Sequence, residues 1–198
     1  MLPRLLVLTD RRLCRRPLVE VVSRAVAGGA RSVVLREKDL AAGPRRRLAY
    51  ELLAVLADVD GVIVLAGTGL SGPAVHLAAA EPVPSPRPEL LGRSCHDEVD
   101  VARAARNGCD WVTAGPWAPT SSKPGYGPPL GRSGLTALAR VPNAPPVYAL
   151  GGLVPRDVCA CLAAGAHGVA VMGAVMRAEE PEVVVAAFLR ELHRAPVP

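Results

Sequence analysis

The amino-acid sequence predicts an α/β fold, a compact (β/α)8 barrel of the TIM type. Three observations carry that reading. Eight short apolar runs alternate with longer amphipathic ones. The short runs are continuously apolar, as expected of parallel strands covered on both faces. A phrase of helix, glycine stop, two or three residues and strand recurs in AVAGGARSVVL, AARNGCDWVTA and CLAAGAHGVAV. Repeated units of that kind imply parallel strands joined by right-handed crossovers.

The strand candidates are residues 4–8, 32–35, 61–65, 74–77, 91–94, 111–114, 147–150 and 168–172. Helical spacing of apolar residues occupies 18–27, 45–57, 97–106, 134–139, 156–164 and 182–192. Gly28, Gly108 and Gly165 end three of these helices, as glycine commonly does. Two stretches break the rhythm. Residues 66–73 are too short and glycine-rich for a full helix, and residues 78–88 carry four prolines. The βα units after strands 3 and 4 are therefore expected to be eroded. That erosion accounts for a length of 198 residues, where such barrels typically need about 250. The whole chain, 1–198, reads as one barrel domain. The competing architecture is an open doubly wound sheet; eight strands without a reversal signal favour closure.

Apolar residues make up 50% of the chain but aromatics only 3%, so Val, Leu, Ala and Ile must build the core. Few aromatics also means few stacking platforms for single-stranded nucleic acid. The net charge is +5, yet the arginines are scattered and no basic helix or nucleic-acid motif is present. A phosphorylated small molecule is the expected partner, with no nucleic acid and no membrane; a homo-oligomer is left open. The five cysteines fit no zinc or redox spacing. Reduced thiols, the lack of a cleavable leader pattern and the lack of an 18-residue apolar run point to a cytoplasmic protein.

Ligands of such barrels bind where strands end and βα loops begin. After strand 2 stand Arg36 and Lys38 at alternate positions, pointing the same way off the strand end. Two converging cations suit a phosphate or diphosphate; the alternative is a solvated cluster neutralised by Glu37 and Asp39. After strand 5, His96 stands at the strand-to-helix corner, able to move a proton near neutral pH. Ser94 or Asp97 beside it could cap the next helix. The long loop after strand 6 contains Thr120, Ser122 and Lys123 among glycines and prolines. It reads as a lid, an anion cradle or a merely flexible loop. Gly151-Gly152 after strand 7 and Met172-Gly173 after strand 8 allow close backbone approach to a phosphate.

Taken in order, these pieces resemble the thiamine phosphate synthase / thiazole tautomerase (TenI-like) family over nearly the whole chain. The matching segments are Leu8-Thr9-Asp10-Arg11, Leu35-Arg36-Glu37-Lys38, Val75-His76-Leu77, Gly92-x-Ser94-x-His96, Gly115-Pro116-Trp117-x-Pro119-Thr120-x-Ser122-Lys123, Ala149-x-Gly151-Gly152 and Gly165-x-x-Gly168-Val169-Ala170-Val171. The resemblance implies a thiazole phosphate against Gly151, Gly152, Met172 and Gly173. It implies a diphosphate held by Arg36, Lys38, Thr120, Ser122 and Lys123, with Mg²⁺ in the synthase branch. The departures fall in one place. Synthases carry Asn-Asp at the end of strand 3 and Gly-Gln-x-Asp after strand 4. Here the first stretch reads Val64-Leu65-Ala66 and the second Ala78-Ala79-Ala80-Glu81. Only Glu81 could stand in for a metal carboxylate. The tautomerase branch needs no metal and uses a histidine matching His96 as acid/base. The expectation is therefore a metal-independent thiazole tautomerase without cofactor. A synthase that releases pyrophosphate with Mg²⁺ is the alternative, and a non-catalytic thiamine-phosphate-binding regulator a further one.

Overall fold

A computed structural model describes residues 2–120 and 128–194. Among them, eight parallel strands close a barrel in sequence order: β1 (Leu5–Leu8), β2 (Ser32–Leu35), β3 (Val62–Ala66), β4 (Ala74–Leu77), β5 (Leu90–Cys95), β6 (Trp111–Ala114), β7 (Val147–Leu150) and β8 (Gly168–Val171). Closure is made by β8 returning to β1, with Leu5, Leu6 and Val7 opposite Val169, Ala170 and Val171. The helices are α1 (Leu18–Ala27), α2 (Ala42–Ala57), α3 (Glu98–Arg106), α4 (Gly131–Ala139), α5 (Val158–Ala163), α6 (Gly173–Met176) and α7 (Pro181–Arg194). None is long and apolar enough to cross a membrane.

The core has two layers, because successive strand residues point to opposite faces. The larger layer lies between strands and helices and consists of small aliphatics such as Val7, Val33, Leu35, Leu77, Val112 and Val169. The smaller layer fills the barrel with Leu6, Val34, Val64, Trp111, Tyr148 and Ala170. Aliphatics thus dominate, as composition requires, but two of the few aromatics sit in the interior. Small neighbours admit them: a Cβ on Gly92 would fall 2.0 Å from the Trp111 indole. The Tyr148 hydroxyl lies 3.1 Å from the Leu2 carbonyl and 3.2 Å from that of Pro3, so the segment before β1 closes the lower end.

The described residues hold no helix between β3 and β4 or between β4 and β5. Side chains from the loops join the outer layer there instead, with Leu70 buried in it and Val83 half-buried against it. Two buried arginines tie the loops down. Arg45 of α2 donates to the carbonyls of Leu35 and Ala66. Arg93 of β5 donates to those of Ala78, Ala79 and Glu81, at 3.1, 2.8 and 2.7 Å. Burying a guanidinium is costly unless its donors find acceptors; here the Nη groups find carbonyls and fix the rim, while the Nε of each arginine is buried without a partner.

Candidate active site

The C-terminal strand ends surround a cavity of about 780 Å³. Its wall contains Arg36, Lys38, His96, Thr120, Gly151, Gly152, Met172 and Gly173. Eight of the ten residues singled out from the sequence thus border one chamber. The other two, Ser122 and Lys123, lie outside the described residues.

Arg36 and Lys38 both border the chamber but reach opposite ways along the rim, Arg36 towards β1 and β8 and Lys38 towards the loop after β4. Glu37 and Asp39 do not neutralise them. Arg11 takes both acids instead. Its backbone N–H and Nη1 reach Glu37 at 3.1 and 3.0 Å, and Nη1 and Nη2 reach Asp39 at 2.9 and 2.7 Å. Hydrogen bonding to Arg11 holds the Asp39 carboxyl at about 2, below the ordinary carboxylate value. Arg36 lies along the rim, with Nη1 3.5 Å from the Thr9 carbonyl and 2.8 Å from Sδ of Met172. The cation after β2 therefore touches the loop after β8, and the two predicted anion sets meet. Lys38 pairs with Glu81 at 3.0 Å.

His96 is exposed at the end of β5. Its Nδ1 lies 3.1 Å from the Gly115 carbonyl. Since a carbonyl only accepts, Nδ1 carries the proton, and the neutral ring has its lone pair on Nε2. The backbone N–H of His96 donates to Asp100 at 3.0 Å. Asp97 is the cap of α3, its Oδ1 accepting from the Asp100 N–H at 2.8 Å. Ser94 is therefore released from capping and faces the chamber.

The chamber has a polar floor, of which the sequence singled out only Ser94, and that as a possible helix cap. His76 of β4 is buried beneath it, its Nε2 3.1 Å from Ser94 Oγ and 3.3 Å from Thr113 Oγ1. The imidazole stacks on Trp111, with ring centroids 5.9 Å apart. Burial first, then the charges of Lys38 and Arg36, push its pKa down to about 3, so the ring is neutral. Strand parity was the available signal: His76, Ser94 and Thr113 occupy registered inward positions of adjacent strands.

The residues present do not fit a Mg²⁺ site. Magnesium usually keeps one or two protein carboxylates along with substrate phosphates. Among the described residues no group of three His, Cys, Asp or Glu could hold a metal. Residues 121–127 contain none of these types. Glu81 reaches the rim, but Oε1 pairs with Lys38 and Oε2 accepts the Ala78 N–H at 2.7 Å.

The family model of thiamine monophosphate synthase matches residues 5–175. The chain belongs to that family. A relative from Geobacter sulfurreducens is 38% identical, with 93% of this chain and 92% of that protein covered. A thiamine-phosphate synthase of Roseiflexus castenholzii is 34% identical over 92% of this chain and 85% of that protein. Among solved structures, a thiamine phosphate pyrophosphorylase of Pyrococcus furiosus superposes with a TM-score of 0.83 at 25% identity, covering 96% and 95% of the two chains. The thiamine monophosphate synthase family, transferase relatives and the TIM-type barrel thus agree with the sequence reading. The relatives' names side with its synthase alternative rather than with tautomerisation.

Proposed function

We propose that this protein is a thiamine phosphate synthase. It joins hydroxymethylpyrimidine diphosphate to a thiazole phosphate. The methylene–oxygen bond of the pyrimidine breaks, pyrophosphate departs with that electron pair, and the thiazole nitrogen bonds to the methylene carbon. The observation that carries the reading is the contact between Arg36 and Met172. It joins the cationic rim after β2 to the glycine loops after β7 and β8, within one chamber. Two phosphorylated reactants seated on those rims present their rings to the same space, which lowers the entropic barrier to their union. Arg36 and Lys38 face the leaving pyrophosphate, where charge develops. The polar floor of His76, Ser94 and Thr113 offers hydrogen bonds to a flat heteroaromatic ring. Thr120, Ser122 and Lys123 complete the diphosphate side in this proposal, and Gly151, Gly152, Met172 and Gly173 hold the thiazole phosphate.

The test is incubation of the protein with both substrates, following thiamine phosphate and pyrophosphate together. Equal amounts of the two are expected. Absence of both, with the chain folded, overturns the reading. One observation favours a second reading, thiazole tautomerisation: the proton-bearing Nδ1 of His96 is fixed on Gly115, leaving Nε2 the basic atom. Under that reading His96→Ala slows isomerisation by about a hundredfold or more, and no pyrophosphate is formed.

A further inference from the structure

We propose that the anion site at the ends of β2, β3 and β4 works without a divalent cation. Lys38, held on Glu81, moves onto the ligand's phosphate in its place. The inference rests on reading this rim as the diphosphate side of a synthase. Its ground is a disagreement between these residues and a magnesium site.

The carboxylates at the rim are already engaged. Glu37 and Asp39 are bound by Arg11. Both oxygens of Glu81 are engaged, by Lys38 and by the Ala78 N–H. Backbone oxygens are engaged as well: Arg45 takes the Ala66 carbonyl, and Arg93 takes those of Ala78, Ala79 and Glu81. Where the chain supplies positive charge here, it supplies it as guanidinium and ammonium groups.

Lys38 is the one built to move. Its pair with Glu81 is partly open to water, with side-chain exposures of 44% and 28%. Such pairs contribute little, so separating them costs little. A diphosphate oxygen offers the ammonium a stronger charge-assisted bond. Space for the pair is reserved by Gly67, where a Cβ would lie 3.0 Å from Lys38 Nζ and 3.1 Å from Glu81 Oε1. Glu81 is fixed by the Ala78 amide and stays behind when Lys38 leaves.

The experiment titrates inorganic pyrophosphate into the full chain by calorimetry, once in EDTA and once with excess Mg²⁺. Binding is expected in EDTA, and excess Mg²⁺ should not tighten it, since no protein carboxylate recruits the ion. Lys38→Met should weaken binding at least about tenfold, the worth of one charge-assisted contact. Glu81→Gln should tighten it severalfold, because Lys38 is no longer shared. Binding only with Mg²⁺, or Lys38→Met binding like the parent, overturns the inference and leaves the synthase reading standing. Binding in EDTA without product from the two substrates overturns the synthase reading and leaves the inference. No binding under either condition overturns both.

Discussion

Gly152→Ala is expected to weaken thiazole-phosphate binding about a hundredfold and to lower stability by about 3 kcal/mol. Gly152 has φ +69, and a Cβ there would lie 2.6 Å from the Ala118 carbonyl oxygen and 2.7 Å from that of Pro119. Left-handed backbone costs a non-glycine residue roughly 1–2 kcal/mol. The remainder comes from backbone atoms that cannot rotate away. The 117–120 segment must then shift, although Trp117 and Ala118 are bonded to the Leu150 and Gly151 carbonyls at 2.8 and 3.1 Å. Its movement displaces Thr120 and tilts the glycine loop off the phosphate. Gly151→Ala should be milder, since its Cβ would meet Pro116 atoms at 3.0 Å. Calorimetry with thiazole phosphate and thermal melting check both. The larger loss corresponds to a fall of about 6–12 °C in Tm for a chain of this size. A Gly152→Ala protein that binds and melts like the parent would remove the glycine loop from the site.

Acidification should unfold this protein through His76. The folded ring titrates at about 3, against an ordinary value of 6.5. Between those values the unfolded chain takes up a proton that the folded chain refuses. Stability is therefore complete above pH 6.5 and falls as pH drops towards 3. The loss amounts to about 2 kcal/mol by pH 5 and steepens to about 1.4 kcal/mol per unit below it. Lys38, Arg36 and Arg93 oppose protonation of the ring, and Glu81 alone favours it. His167, whose pKa is lowered by burial and by Arg4, adds to the slope in the same direction. Asp39 loses its contribution only further down, as pH falls through its own lowered value. His76→Gln keeps a polar group beside Ser94 and Thr113 without a titrating nitrogen. Urea midpoints at pH 7 and pH 5 should then differ much less in the variant than in the parent; equal differences would reject the assignment.

The barrel was legible because its signals are local. Apolar runs, glycine stops and helical spacing place all eight strands to within a residue or two. The start of α2 was harder. Apolar spacing places it at residue 45, yet the helix begins at Ala42 and takes Gly43-Pro44 into its first turn, where proline's missing N–H breaks no bond. Loop residues of the site were legible through the rule that ligands sit beyond strand ends. Residues within strands were not: Ser94 reads as a possible helix cap, and His76 and Thr113 carry no chemical assignment until strand parity and register point all three inward. Least legible was the pairing. Arg11 lies 26 residues from Glu37 and 28 from Asp39, and no spacing in the sequence announces that it disarms them. The same holds for Arg93 gathering the carbonyls of the loop after β4.

The wall without helices bears on how such a protein changes over generations. Elsewhere, a substitution beside the chamber is tied to a helix that packs the outer layer. Between β3 and β5, two arginines and a few loop side chains perform that service. Side chains can vary there so long as the carbonyls that Arg45 and Arg93 need stay in place, because backbone oxygens are common to every residue type, while each change faces the chamber directly. A scaffold of this kind separates the part of the chain that must be inherited intact from the part on which selection for a new ligand can act.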